Sequence, residues 1–154
     1  MKKYVSVILG GTFENIHAGH IKLLSIAVKL GDILYIGLTS DEMASKMRGR
    51  KVLPYDTRFK NLNRLLKSMD ANKEIKIFEI NDEYGPSIFL SDLDIIIVST
   101  ETFKAALKIN EKRREKGLRP LIIYVINLLE HDYGVKISSS LINQKLIDEW
   151  GRRR

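Results

Sequence analysis

The sequence has 154 residues, 44% of them hydrophobic and 29% charged, with no cysteine. These figures exclude a disordered chain, a collagen and a disulfide-stapled toxin, and the lack of thiols excludes cysteine metal sites. The formal net charge of +7 points to phosphate-bearing partners, nucleic acid among them.

The length suits one domain, read as residues 1–150 with a short basic tail at 151–154. The first run, YVSVIL (4–9), is short, apolar and β-branched, and follows Met1-Lys2-Lys3 directly, where a leader would need a longer core. A helical stripe follows at Leu23, Leu24, Ala27 and Val28. ILYIGL (33–38) is a second strand, after which Thr39 and Glu42 have the spacing of a capping box. Residues 44–53 look irregular. Phe59, Leu62, Leu65, Leu66 and Met69 predict a second long helix. IKIFEI (75–80) alternates apolar with polar, which suits a sheet edge with one wetter face. IIIV (95–98) reads as a strand buried on both faces. Phe103, Ala106 and Leu107 start a helix that Gly117 and Pro120 end, and LIIYVI (121–126) gives another strand buried on both faces. Residues 128–137 are irregular, and Ile142, Leu146 and Trp150 repeat every four residues. This alternation predicts an α/β fold: a Rossmann-like, doubly wound, five-stranded parallel sheet with right-handed crossovers. No run nears the roughly 18 apolar residues of a membrane span. A cytoplasmic protein without membrane contact is expected, and a homo-oligomer is left open.

The densest cluster of chemistry is GGTFENIHAGH, residues 10–20, directly after the first strand. Gly10 and Gly11 allow a tight turn and close approach of a ligand to backbone. Amides there, with the N-terminus of the next helix, form an anion site. If the helix begins at Ala18, both His17 and His20 sit at its positive end. Gly19 leaves room between them, and Thr12 adds a hydroxyl donor. A metal pair is disfavoured because no third ligand is nearby. The G-x-G-x-x-G dinucleotide fingerprint is absent.

With that motif in place, the chain resembles the nucleotidyltransferase superfamily, marked by T/H-x-G-H after the first strand. Within it, the sequence is similar to the archaeal and eukaryotic type of phosphopantetheine adenylyltransferase. GLTSDEMASK (37–46), LPYDTR (53–58), DEYGPS (82–87), VSTET (98–102), the Asn110/Arg113 pair and KISSSLI (136–142) match its motifs in order. The resemblance implies the nucleotidyltransferase fold and transfer of an adenylyl group from ATP to 4′-phosphopantetheine, giving dephospho-coenzyme A and pyrophosphate. It implies His20 as the main stabiliser of the α-phosphate, with Thr12 and Lys46 holding the attacking phosphate. Lys51 is a fallback for Lys46. ATP contacts are implied for Gly10, Gly11, Thr12, Phe13, His17, Gly19, His20, Ser99, Glu101, Asn110, Arg113, Ser138, Ser139 and Ser140. Phosphopantetheine contacts are implied for Thr12, Lys46 and Tyr84. Position 141 departs from the family, with Leu where a basic residue is common; Lys145 is a substitute one turn on. His131 is read as structural.

Mg²⁺ is expected to arrive with ATP rather than in a protein cage. Lys46, Arg48, Arg50 and Lys51 form a basic run read as a solvated loop or a lid over polyphosphate. Arg58 is read as a surface salt bridge or a site residue. The serine run could cap the last helix or hold the β- and γ-phosphates. Two alternatives remain. One is a sister nucleotidyltransferase or cytidylyltransferase with another phosphorylated acceptor. The other, ranked lower, is a non-catalytic nucleic-acid-binding protein, which lacks any recognisable RNA- or DNA-binding motif here.

Overall fold

A computed structural model describes residues 4–70 and 72–127. All five predicted apolar runs form strands: β1 (Ser6–Gly11), β2 (Ile33–Thr39), β3 (Glu74–Ile80), β4 (Ile95–Ser99) and β5 (Ile122–Ile126). They make one parallel sheet in the order β3-β2-β1-β4-β5. Between them run α1 (Ala18–Leu30), α2 (Asp41–Arg48), α3 (Tyr55–Met69), a 3₁₀ turn (Gly85–Ile88) and α4 (Phe103–Glu115).

Side chains alternate across a strand, so the central strands feed two cores. Val7, Leu9, Leu34, Ile36 and Leu38 pack with Leu24 and Ala27 of α1 and Leu62 and Leu66 of α3. Ile8, Tyr35, Ile96 and Val98 face the other way, against Ala106 and Ile109 of α4. Each fully buried leucine contributes about 1.5–3 kcal/mol. The alternating run at β3 lies at a sheet edge, as its pattern requires.

Four expectations are corrected. β5 is the other edge strand and is not buried on both faces: Ile122 is 66% exposed, and Tyr124 and Val125 are also exposed. The short helix expected after Thr39 forms as α2, and it runs on through residues 44–48, which were expected to be irregular. The cap of α2 is Ser40, whose Oγ accepts from the Met43 amide at 3.1 Å, while Thr39 ends β2. The inner face of α4 is Ala106, Ile109, Asn110 and Arg113, and Phe103 and Leu107 face outwards.

The chain leaves β1 towards β2 on one side and returns to β4 on the other. Strand order therefore reverses between β1 and β4. In open α/β sheets, ligands bind in the crevice at the carboxyl ends of such strands. The histidine motif and the β4–α4 turn both emerge there. The opposite rim is tied by backbone-to-carboxylate bonds, with Val5 N–H donating to Asp32 and Ser6 N–H to Asp94, each at 2.8 Å.

Candidate active site

The loop after β1 turns differently from the expectation. Gly10 and Gly11 are extended strand residues, in register with Gly37 and Leu38 of β2. The turn is made by Phe13, which adopts a left-handed φ of 49°. Such a conformation in a bulky residue is uncommon and persists only when its surroundings enforce it. Here the Phe13 ring is buried, packs over Gly11, and meets the His20 ring at 5.0 Å. A Cβ at Gly11 would lie 2.8 Å from that ring, so glycine is needed there for space rather than for turning.

The next helix starts where the motif predicts. His17 is the N-cap of α1, and its Nδ1 accepts from the Gly19 amide at 3.1 Å. His20 Nδ1 in turn accepts from the His17 amide at 3.3 Å. Together they form a capping box in which imidazoles replace the usual hydroxyl and carboxylate. The two rings stack at 3.8 Å with 21° between planes. With each Nδ1 an acceptor, the hydrogen-bond network assigns the proton of both neutral rings to Nε2.

Burial pushes the His17 pKa down to about 4, with the Arg48 charge acting in the same direction. Burial likewise pushes His20 down to about 3, helped by His17 and Arg48 and opposed by a hydrogen bond that the ring donates to the Asn15 backbone carbonyl. Near neutral pH, both imidazoles are therefore uncharged N–H donors at the positive end of a helix.

Two buried anchors hold this loop against its neighbours. Glu14 accepts from Arg50 at 2.7 and 3.2 Å and from the Leu53 amide at 2.9 Å. Arg58, read as a surface salt bridge or a site residue, is not on the surface: it is 0% exposed. It donates to the carbonyls of Leu53 (2.8 Å), Thr12 (3.1 Å) and Thr39 (2.9 Å), and to the Asp41 carboxylate (2.8 Å). A buried guanidinium survives because its donors are matched to carbonyls that sheet pairing leaves over. Thr39 donates from Oγ1 to Thr12 Oγ1 at 3.0 Å, joining β2 to the motif.

Lys46 lies on the exposed side of α2, 3.6 Å from Glu42, and not in a lid loop. It lines a cleft of about 380 Å³ with Ser40, Met43, Met47 and Asn81. α2 ends at Gly49, whose φ of 69° closes the helix in the left-handed region. Arg50 is committed to Glu14, and Lys51 is exposed beyond it.

Across the crevice, Ser99 ends β4. Its amide donates to Thr102 Oγ1 at 3.0 Å, and Glu101 is exposed in the same turn. An apolar cavity of about 200 Å³ beside it is lined by Thr100, Phe103 and Val125. Asn110 and Arg113 do not face this crevice, contrary to expectation. Asn110 exchanges two hydrogen bonds with the Leu121 backbone, at 3.0 and 2.7 Å. Arg113 is 0% exposed and donates to the carbonyls of Ser87, Leu90 and Arg119. Tyr84 also departs from its expected place. It leans towards α4, with Lys112 Nζ 5.1 Å from its ring centre, and does not line the 380 Å³ cleft. Ser138, Ser139, Ser140, His131, Leu141, Lys145 and the tail lie outside the described residues.

A neutral, stacked histidine pair thus caps the helix after β1, at the point where strand order reverses. The cytidylyltransferase-like family model matches residues 8–145. The phosphopantetheine adenylyltransferase of Thermococcus kodakarensis is 46% identical, over 98% of this chain and 92% of its own length. That of Pyrobaculum aerophilum is 42% identical, over 94% of this chain and 93% of its own. The chain belongs to the phosphopantetheine adenylyltransferase family.

Among solved structures, a protein of unknown function from Archaeoglobus fulgidus superposes with a TM-score of 0.72 at 42% identity. The match spans 79% of this chain and 89% of that one. A lipopolysaccharide core biosynthesis protein from Thermoplasma volcanium superposes with a TM-score of 0.62 at 20% identity, over 88% and 99%, and shares the fold. Glu14 and Thr39 were missed by sequence reasoning as site residues. The available signal for Glu14 was an acid inside the motif facing a basic run. For Thr39 it was a hydroxyl at the end of the strand beside Thr12.

Proposed function

We propose that this chain transfers the adenylyl group of MgATP to 4′-phosphopantetheine. An oxygen of the acceptor phosphate bonds to the α-phosphorus, the α–β bridging bond breaks, and pyrophosphate leaves with its electron pair. The nucleophile is already an anion, so the site needs no strong base. It needs two polyanions aligned, and donors aimed at the charge that builds on the α-phosphate.

The neutral His17–His20 pair supports this reading most directly. Nε2–H of His20 is assigned to the α-phosphate oxygens. His17 and the first-turn amides of α1, with Gly10 and Gly19 leaving room, are assigned to the ATP phosphates. Uncharged donors suit this work because they shed no proton as charge moves past them. Thr12 and Lys46 are assigned to the acceptor phosphate. The cleft lined by Met43 and Met47 suits the acceptor's partly apolar arm. The cavity at Phe103 and Val125, beside Ser99 and Glu101, suits the faces of an adenine. The serine run 138–140 is assigned to the departing phosphates by resemblance.

Mg²⁺ enters as part of the nucleotide. Glu14 is occupied by Arg50, both Nδ1 atoms are occupied by amides, and no three metal-ligating side chains cluster among the described residues. The donor set is that of an anion site.

The test is formation of dephospho-coenzyme A and pyrophosphate from ATP, Mg²⁺ and 4′-phosphopantetheine. A panel replaces ATP by CTP, and the acceptor by glycerol phosphate or nicotinamide mononucleotide. The family model's cytidylyl name makes CTP the comparison that matters. Preference for another pair overturns the assignment. His20→Ala is expected to lower turnover at least about a hundredfold, the scale of losing one transition-state donor. Near wild-type turnover would remove His20 from the mechanism.

A further inference from the structure

We propose that Arg58 and Thr39 are positioning residues that hold the Thr12 hydroxyl in place and bias it to donate a hydrogen bond to a phosphoryl oxygen. The inference rests on the transfer reading above, and it concerns proton direction along a chain of three side chains.

A guanidinium only donates and keeps its charge at any working pH. Arg58 Nη1 donates to Thr39 Oγ1 at 3.3 Å, as well as to the carbonyls of Thr12 and Thr39. Its position is fixed independently by the Leu53 carbonyl and the Asp41 carboxylate, both at 2.8 Å. The Thr39 hydroxyl, facing that donor, turns its own proton away. The oxygen within reach is Thr12 Oγ1, and the bond runs in that direction at 3.0 Å. Thr12 has then accepted one bond, which leaves its proton and one lone pair, and the accepted bond polarises its O–H as a donor.

Thr39 is 2% exposed and Thr12 is 5% exposed, so little water competes for these hydroxyls. In water, a threonine hydroxyl rotates and presents a lone pair as readily as a proton. A lone pair aimed at a phosphate repels it. The bond accepted from Thr39 takes up one of the two lone pairs, so fewer repulsive orientations remain when the ligand arrives and less reorganisation is needed at the moment of reaction. Arg58 is thus both a fold anchor and the root of a polarised chain that ends at the reacting groups.

The test is a double-mutant cycle with Thr39→Val and Thr12→Val, plus Thr39→Ser as the conservative variant. Valine keeps the shape and removes the hydroxyl. Thr39→Val is expected to lower kcat about tenfold, the scale of one directed hydrogen bond. Thr39→Ser is expected to retain most of the rate. In the Thr12→Val background, Thr39→Val is expected to change the rate less than about twofold, because the hydroxyl it directs is already gone. Equal losses in both backgrounds, or no loss in either, overturn the relay. Melting temperatures of all five proteins separate a folding defect from the coupling. If the wild type fails to turn over ATP and 4′-phosphopantetheine, the transfer reading falls. The relay is then judged on the affinities for 4′-phosphopantetheine and for ATP by calorimetry, and equal affinities across the four proteins of the cycle overturn it.

Discussion

At the scale of single residues, His17 and His20 join two demands that usually conflict. A helix start needs acceptors for its free amides, and a phosphate site needs donors. An imidazole in its Nε2–H form supplies both from one ring. Protonating either ring would give its Nδ1 a hydrogen where the helix needs a lone pair, so the cap itself resists protonation. In the ligand-free protein, ¹⁵N NMR is expected to show both rings as Nε2–H tautomers from pH 8 down to about 5.5. A transition near the ordinary histidine value of 6.5 would contradict the lowered values. Stability should follow the same sign. The folded values lie below the unfolded one, so the unfolded chain binds protons first. Stability is at its full value above about pH 6.5. It falls as pH drops towards about 4 for His17 and about 3 for His20, because the unfolded chain takes up the protons that the folded site disfavours. Urea midpoints measured between pH 7 and pH 4 check the slope, and a histidine-to-glutamine pair should flatten it.

At the scale of elements, the junction of α4 with β5 separates structural from ligand-binding roles. Asn110 copies a strand neighbour, giving and taking one bond with the Leu121 backbone. Asn110→Ala leaves a buried amide and carbonyl unpaired. It is expected to cost about 1–3 kcal/mol of stability while changing ATP affinity less than about twofold. Denaturant titration and calorimetry give the two readings, and a large affinity loss at intact stability would restore the ATP role. The strands were legible because an apolar β-branched run has few alternatives in a chain of this pattern. The start of α1 was legible from the motif spacing. The inner side of α4 was not, because an apolar stripe is the sequence signal and this face includes Asn110 and Arg113. The burial of Arg58 was not legible for a related reason. Its burial depends on the leftover carbonyls of three segments brought together by the fold, and sequence spacing does not encode that. Phe13 was invisible as a turn residue because the two glycines before it offered a simpler turn.

At the scale of the whole molecule, the excess positive charge is less available than its count suggests. The chain has 26 basic side chains and a net charge of +7. Arg58 and Arg113 are buried on carbonyls, Arg50 is bound to Glu14, and Arg119 pairs with Asp94 at 2.9 Å. A nucleic-acid binder needs a continuous row of free cations matched to phosphate spacing, because its affinity comes from released counterions. Filter binding at about 150 mM salt is therefore expected to detect only weak, sequence-independent retention. Tight and specific retention would reopen the nucleic-acid reading. Among the described residues, no helix is long and apolar enough to cross a membrane.

The shared cap also ties readiness for reaction to the behaviour of a single helical turn. If the first turn of α1 frays, Gly19 loses its acceptor and both imidazoles lose their alignment in the same event. The fraction of molecules able to react then equals the fraction whose first turn is closed. That opening is local, far smaller than global unfolding, and hydrogen exchange at the Gly19 and His17 amides counts it directly. A distant substitution that leaves the melting temperature unchanged could still slow the enzyme, by loosening one turn.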